Sequence, residues 1–96
     1  MQIRWLIRAL QNLNDEANYI AKENPTAAAN FVSRIQCSLE LLQENPSMGR
    51  PGRVNGTREL IIGGMPYIIP YRVRPHLKRI EVLRVFHSSR RPPAKW

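Results

Sequence analysis

Residues 57–86 read TRELIIGGMPYIIPYRVRPHLKRIEVLRVF, and their pattern decides the fold. Three runs rich in Ile, Val, Leu, Tyr and Phe, at 57–62, 67–73 and 79–86, are separated by GGMP and RPHLK. β-Branched and aromatic side chains suit a pleated, half-buried surface, whereas clusters of Gly and Pro punctuate it with turns. The stretch therefore predicts an antiparallel meander.

Pairing Ile62 with Tyr67 and Val73 with Arg79 assigns the faces. Leu60, Ile62, Tyr67, Ile69, Leu83 and Val85 then form an apolar face suited to lie beneath helices. The opposite face carries Thr57, Glu59, Ile61, Ile68, Pro70, Arg72, Ile80, Val82, Arg84 and Phe86. Apolar groups mixed with arginine on an open face mark an interaction surface. In this register Glu59 reaches toward Arg72 or Arg84, while Arg58 and Glu81 fall near Tyr71 on the helix side. Pro70 cannot donate to a ladder and predicts a bulge or an unpaired stretch.

Upstream, NPSMGRPGRVNG at 45–56 holds three glycines and two prolines and reads as an irregular loop. Before it, Ala28, Phe31, Ile35, Leu39 and Leu42 recur at three and four, as do Leu10, Leu13, Ala17, Ile20 and Ala21. Asn24-Pro25 stops the first of these helices and starts the second, with Asn24 as N-cap and Pro25 in the first turn. A helix hairpin over roughly 8–44 follows. Ile3, Trp5 and Ile7 alternate with Arg4, Leu6 and Arg8 as a short strand or a strand-to-helix entry, the strand expected to join the sheet. The expected fold is α+β in the order β-α-α-β-β-β. An N-terminal helix hairpin packs on one face of a small, mainly antiparallel sheet. Residues 1–96 form a single domain with a basic tail from about 88.

Fifteen Lys and Arg against seven Asp and Glu give a net charge of +8. Residues 1–48 contribute −1, residues 49–71 contribute +2 and residues 72–96 contribute +7, with Glu81 the one acid in that last span. A field concentrated in this way attracts nucleic acid or an acidic protein segment. The lone Cys37 suits a reducing compartment and, in its apolar helical setting, a place in the core. No apolar run reaches the ~18 residues of a membrane span.

No Gly-rich phosphate loop precedes a helix, and one Cys with two His offers no metal-ligand spacing, so neither a cofactor nor a metal is expected. His87, followed by Ser88, Ser89 and Arg90, suits either a general acid or base, or a strand-end side chain that bonds backbone. His76 falls in a turn. Arg58, Arg72 and Arg84 lie within strands and need partners, either register-fixing carboxylates or a phosphate or carboxylate ligand. Arg90, Arg91 and Lys95 have no acid nearby in sequence and favour an intermolecular role.

NPTAAANFVSRI, NPSMGRPGRVNGTREL, PYIIPYRV and IEVLRVFHSSRRPP, taken in succession, resemble the toxin half of type II toxin–antitoxin modules in the RelE/ParE superfamily, over about residues 3–93. The resemblance implies a small bacterial cytoplasmic protein that arrests growth or stabilises a plasmid. It also implies a cognate ParD-like or RelB-like antitoxin with an acidic segment, and possible higher-order toxin–antitoxin assembly. RelE-like members cleave mRNA on the ribosome; ParE-like members trap DNA gyrase on cleaved DNA. Ile68 stands where YoeB-like ribonucleases carry a catalytic arginine. No tyrosine follows Tyr71, and the indole of Trp96 cannot take over proton transfer.

The sequence thus looks more ParE-like, which implies a gyrase inhibitor acting by binding, with Arg84, His87, Arg90 and Arg91 against its target. The RelE-like alternative is an mRNA endoribonuclease with Arg58, Arg72 or Arg84 on phosphate and His87 as acid or base. A third reading is a basic nucleic-acid-binding module. Independently of the resemblance, the open face around Ile68, Arg72, Val82, Arg84 and Phe86 suits an acidic, amphipathic segment that orders on binding.

Overall fold

A computed structural model of the chain describes residues 1–89 and Trp96. A strand β1 (Gln2–Trp5) leads into two helices, α1 (Ile7–Ala21) and α2 (Pro25–Glu44). Five strands follow: β2 (Arg50–Pro51), β3 (Arg58–Ile61), β4 (Tyr67–Arg74), β5 (Arg79–Val82) and β6 (Phe86–His87). The strand order is β1-β5-β4-β3-β2, with β6 continuing beside β4. β1 pairs parallel with β5, and every other pairing is antiparallel. The α+β architecture and its element order are those the sequence predicts, with the short β2 added where an irregular loop was expected.

The helix hairpin turns as the sequence prescribes. The Asn24 side-chain oxygen accepts from the Ala27 amide at 3.0 Å, and Pro25 occupies the first helical turn, where a missing N–H costs nothing. Ala28, Phe31, Ile35, Leu39 and Leu42 are all buried against the sheet. On α1 the inward stripe is rotated from the expected one. Ala9 is fully buried and Glu16 nearly so, whereas Leu10 is exposed. Cys37 is exposed on α2 rather than in the core.

The β3–β4 register is the expected one, with Leu60 opposite Ile69 and Arg58 opposite Tyr71. The β4–β5 register differs by one residue, because Val73 faces Ile80 and Tyr71 faces Val82. Since side chains alternate, this shift carries Ile80 and Val82 from the open face to the helix face, where both are completely buried. It carries Glu81 the other way, onto the open face opposite Arg72.

The register changes again at Pro70. Its carbonyl accepts from the Leu83 amide at 2.9 Å, so its side of the ladder faces the β5–β6 chain, but it has no N–H to return the bond. Downstream, Ile68 pairs with Phe86 and Tyr67 with His87, one residue out of step with β5. Leu83 and Arg84 absorb the extra residue as a bulge. The Val85 amide donates instead to the Asn12 side chain on α1 at 3.2 Å. Val85 therefore returns to the helix face, and Phe86 to the open face, as the sequence reading had them.

Tyr71, fully buried in β4, ties the loop after α2 to the sheet. Its hydroxyl donates to the Pro46 carbonyl at 2.8 Å and accepts from the Gly49 amide at 2.9 Å. Burial pushes the phenol pKa up, with the Gly49 bond and the Arg58 charge opposing. A Cβ at Gly49 would lie 2.6 Å from Tyr71 Cε1 and 2.9 Å from the Glu59 carbonyl. Gly49→Ala is therefore expected to destabilise the fold by about 1–3 kcal/mol through overpacking. Tyr71→Phe, which strands the Pro46 carbonyl and the Gly49 amide, should cost about 1–2 kcal/mol. Urea unfolding monitored by circular dichroism checks both, and midpoints equal to the parent would contradict the role given to this hydroxyl.

Candidate functional site

The sheet's open face is organised by two buried carboxylates. Glu59 on β3 and Glu81 on β5 are each only 3% exposed. Glu59 Oε1 accepts from Arg50 Nε at 3.1 Å and Nη2 at 2.9 Å, and its Oε2 accepts from the Arg53 amide at 3.1 Å. Glu81 Oε1 accepts from Arg72 Nε at 2.6 Å and Arg74 Nε at 3.2 Å. Its Oε2 accepts from Arg79 Nε at 3.0 Å. A carboxylate at such a site survives only if hydrogen-bonded on both oxygens. Desolvation alone would raise the Glu81 pKa, but the bonds from Arg72, Arg74 and Arg79 outweigh it and bring the group down to about 2. One carboxylate against three partly exposed guanidinium groups still leaves the face cationic.

Apolar groups flank these clusters. Ile61 is half exposed at the end of β3, beside Ile68. Phe86 stacks on Trp96, with ring centroids 5.3 Å apart. The Trp96 indole donates to the Thr57 hydroxyl at 3.1 Å and lies 5.8 Å from the Arg53 guanidinium. Between Trp96, Leu83, Arg72, Arg74 and the 54–57 turn runs a cavity of about 470 Å³. Among the described residues no three His, Cys, Asp or Glu side chains gather to hold a metal, and no helix is long and apolar enough to cross a membrane.

The strand arginines do not share one pocket. Arg58 shares the side of Tyr71, facing away from Arg72, and donates to the Ser47 and Gly49 carbonyls at 3.3 and 2.9 Å. Glu81, expected beside it, is on the other face because of the register shift. Glu59 meets Arg50 and Arg53 instead of Arg72 or Arg84, since the 50–53 segment folds onto β3. Arg84 stands in the bulge, and its Nη1 donates to the Leu83 carbonyl at 2.6 Å.

His87 sits four positions along β4 from the Arg58 row, roughly 13 Å away. Its ring meets the edge of Tyr67 at 5.3 Å, and Nδ1 accepts from the Ser89 amide at 3.2 Å, with Ser89 Oγ at 2.6 Å. This backbone bond is the strand-end arrangement weighed in the sequence. Of the expected partner surface, Ile68, Arg72, Arg84 and Phe86 lie on or beside the open face, but Val82 is buried under the helices. Arg90 and Arg91 lie outside the described residues.

Sequence reasoning missed Glu16, which accepts from the Tyr67 hydroxyl at 2.9 Å inside the core. Its signal was its place on the 9–13–16–20 helical stripe. It also missed the gathering of Arg4 and Arg8 near Arg84, described below.

Glu81 holds its proton more weakly in the fold than in the unfolded chain. Its contribution is therefore complete above about pH 4.5 and is lost as pH falls toward 2. Glu81→Gln should cost about 1–3 kcal/mol at pH 7, with the gap to the parent closing across that window in urea titrations at stepped pH. A gap independent of pH would contradict the ion-paired state.

Residues 3–92 match the family model described as the ParE toxin of the type II toxin–antitoxin system parDE. Y4kP of Sinorhizobium fredii, named as a toxin, is 45% identical over 92 residues, covering 96% of this chain and 93% of its own. Toxin RelE2 of Caulobacter vibrioides is 33% identical over 89 residues, covering 93% and 97% respectively. A chromosomal ParDE toxin–antitoxin system from P. aeruginosa superposes with a TM-score of 0.80 at 29% identity, covering 91% of this chain and 95% of that one. A helix hairpin over an arginine-studded open sheet thus comes with matches across nearly the whole chain, and the chain belongs to the ParE toxin family of type II toxin–antitoxin systems.

Proposed function

We propose that this toxin acts by binding DNA gyrase and holding it on cleaved DNA, and that an acidic antitoxin segment silences it by lying across the open sheet face. The observation that carries the gyrase reading is the dispersal of the groups a ribonuclease would need. Arg58 and Arg72 point to opposite faces, and both are engaged by protein acceptors. His87 is turned to Tyr67 and Ser89. Acid–base catalysis requires a titratable group within hydrogen-bond reach of the reacting atom, beside a charge that steadies phosphate. A protein that acts by binding needs only a shaped, charged surface.

The antitoxin reading rests on the open face. Half-exposed Ile61 and partly exposed Phe86 provide apolar anchor points on either side of the buried Ile68, and Arg72, Arg74 and Arg53 surround them with partly exposed guanidinium groups. This pairing of apolar and cationic groups suits an amphipathic, acidic segment that orders on docking.

Full-length toxin should inhibit gyrase supercoiling and accumulate cleaved DNA, and His87→Ala should retain that inhibition. Unaffected supercoiling at large molar excess, with ribosome-dependent mRNA cleavage that His87→Ala abolishes, would overturn the gyrase reading. For the antitoxin, Phe86→Asp should raise the calorimetric Kd about tenfold or more, since it places a like charge in an anchor position. An affinity equal to the parent would move the antitoxin off this face.

A further inference from the structure

A second cleft opens at the β1 edge of the sheet, where β1 turns into α1. Its volume is about 470 Å³, and Arg4, Arg8, Arg79, Arg84 and Glu81 line it together with Ile7. Its arginines come from four places in the fold: β1, the first turn of α1, β5 and the bulge after it. Pairing Arg4 with Glu81 across β1 and β5 sets Arg4 on the open-face side. Glu81 is bonded instead by Arg72, Arg74 and Arg79, which engage both carboxylate oxygens. Among the described residues Arg4, Arg8 and Arg84 have no carboxylate partner. The repulsion is felt inside the cleft: burial lowers the Arg84 pKa, and the neighbouring charge of Arg8 lowers it further.

Like charges brought together by three separate elements, beside a carboxylate already bonded to other arginines, form a site that an anion completes. α1 adds to this, since it opens without a capping side chain and without an acid in its first turn. We infer that the cleft formed by Arg4, Arg8 and Arg84 binds the phosphodiester backbone of a nucleic acid. The planar forks of three arginines fit the non-bridging oxygens of successive phosphates, and an open edge lets a strand run through. An amphipathic protein segment is a poorer fit. Of the cleft's apolar lining, Trp5, Leu6 and Trp96 are half-buried, with Trp96 stacked on Phe86, and Ile7 alone is exposed; the half-exposed anchor Ile61 lies three strands away, roughly 14 Å across the sheet.

The test is fluorescence anisotropy of the full-length toxin with three labelled probes: a 16-base-pair DNA duplex, a 16-nucleotide single-stranded RNA and a poly-glutamate peptide. Arg4→Ala and Arg8→Ala, both at exposed positions, should each weaken oligonucleotide binding about 3–10-fold at low salt. Each should also flatten the log K against log salt slope by about 1. Arg84→Lys, which keeps the charge but loses the fork, should weaken binding while leaving the slope nearly unchanged. Lys22→Ala, at the far end of α1, should leave affinity within twofold of the parent. Whichever of duplex DNA and RNA binds more tightly identifies the source of the phosphodiester. Arginine variants that bind both oligonucleotides like the parent would overturn the inference, as would arginine-dependent binding confined to poly-glutamate. The titration contains neither gyrase nor ribosome, so its outcome is separate from that of the target assay.

Discussion

A single missing hydrogen-bond donor shapes the working half of this sheet. Pro70 lies in β4, flanked by β3 on one side and the β5–β6 chain on the other. A proline in a central strand is tolerated where the partner need not receive its N–H. Here the partner chain bulges at Leu83 and Arg84, and the ladder resumes one residue out of step. The bulge turns the Arg84 side chain toward Arg8, returns Val85 to the core and leaves Phe86 on the open face beside Ile68. Asn12 on α1 satisfies the Val85 amide that the disturbed ladder releases, so the irregularity is held from the helix side as well.

The same proline explains how much of the sheet was legible in the sequence. The three extended runs, the Asn24-Pro25 helix junction and the α2 stripe follow from periodicity and capping chemistry alone. The β3–β4 register also emerged from its turn. Between β4 and β5, one unbroken register was carried through residues 79–86, whereas the chain uses two. The parity that suits Val85 and Phe86 is wrong for Ile80, Glu81 and Val82, and a period of two turns a slip of one into an exchange of faces. Sequence marked Pro70 for a bulge or an unpaired stretch in its own strand, whereas the bulge lies in the strand opposite. Cys37 is exposed because it falls off the α2 stripe, while on α1 Leu10 was misplaced and Glu16 missed for another reason. The rotation of a helix about its axis depends on the neighbour it packs against, and a stripe of alanines and leucines does not fix it to within one position.

The carboxylates and arginines of the open face show how a strongly basic chain folds without dispersing its charge. Glu59 and Glu81 each sit beneath a group of guanidiniums, and both lie on strands next to β4. Breaking such a pair is costly because it strands a buried charge, so these clusters hold the register that hydrophobic packing alone leaves open to slippage. The arginines they engage are held in place rather than eliminated as charges. The face therefore meets a partner with its cations already ordered, which lowers the entropic cost of docking.

The parallel pairing of β1 with β5 has a consequence for how the toxin comes into being. Gln2 meets Arg79 and Trp5 meets Val82, so β1 waits for a segment far downstream in the chain before it has a strand to join. Contacts this distant along the chain must overcome loop closure before they stabilise anything, and they form late in folding. A nascent chain can form its helix hairpin early, but the sheet edge holding Arg4 cannot assemble until residues 79–82 have emerged. Synthesis itself thus delays the toxin: a chain that stops short of β5 has no such edge, and a partner that reads the folded sheet meets only chains that extend past Val82.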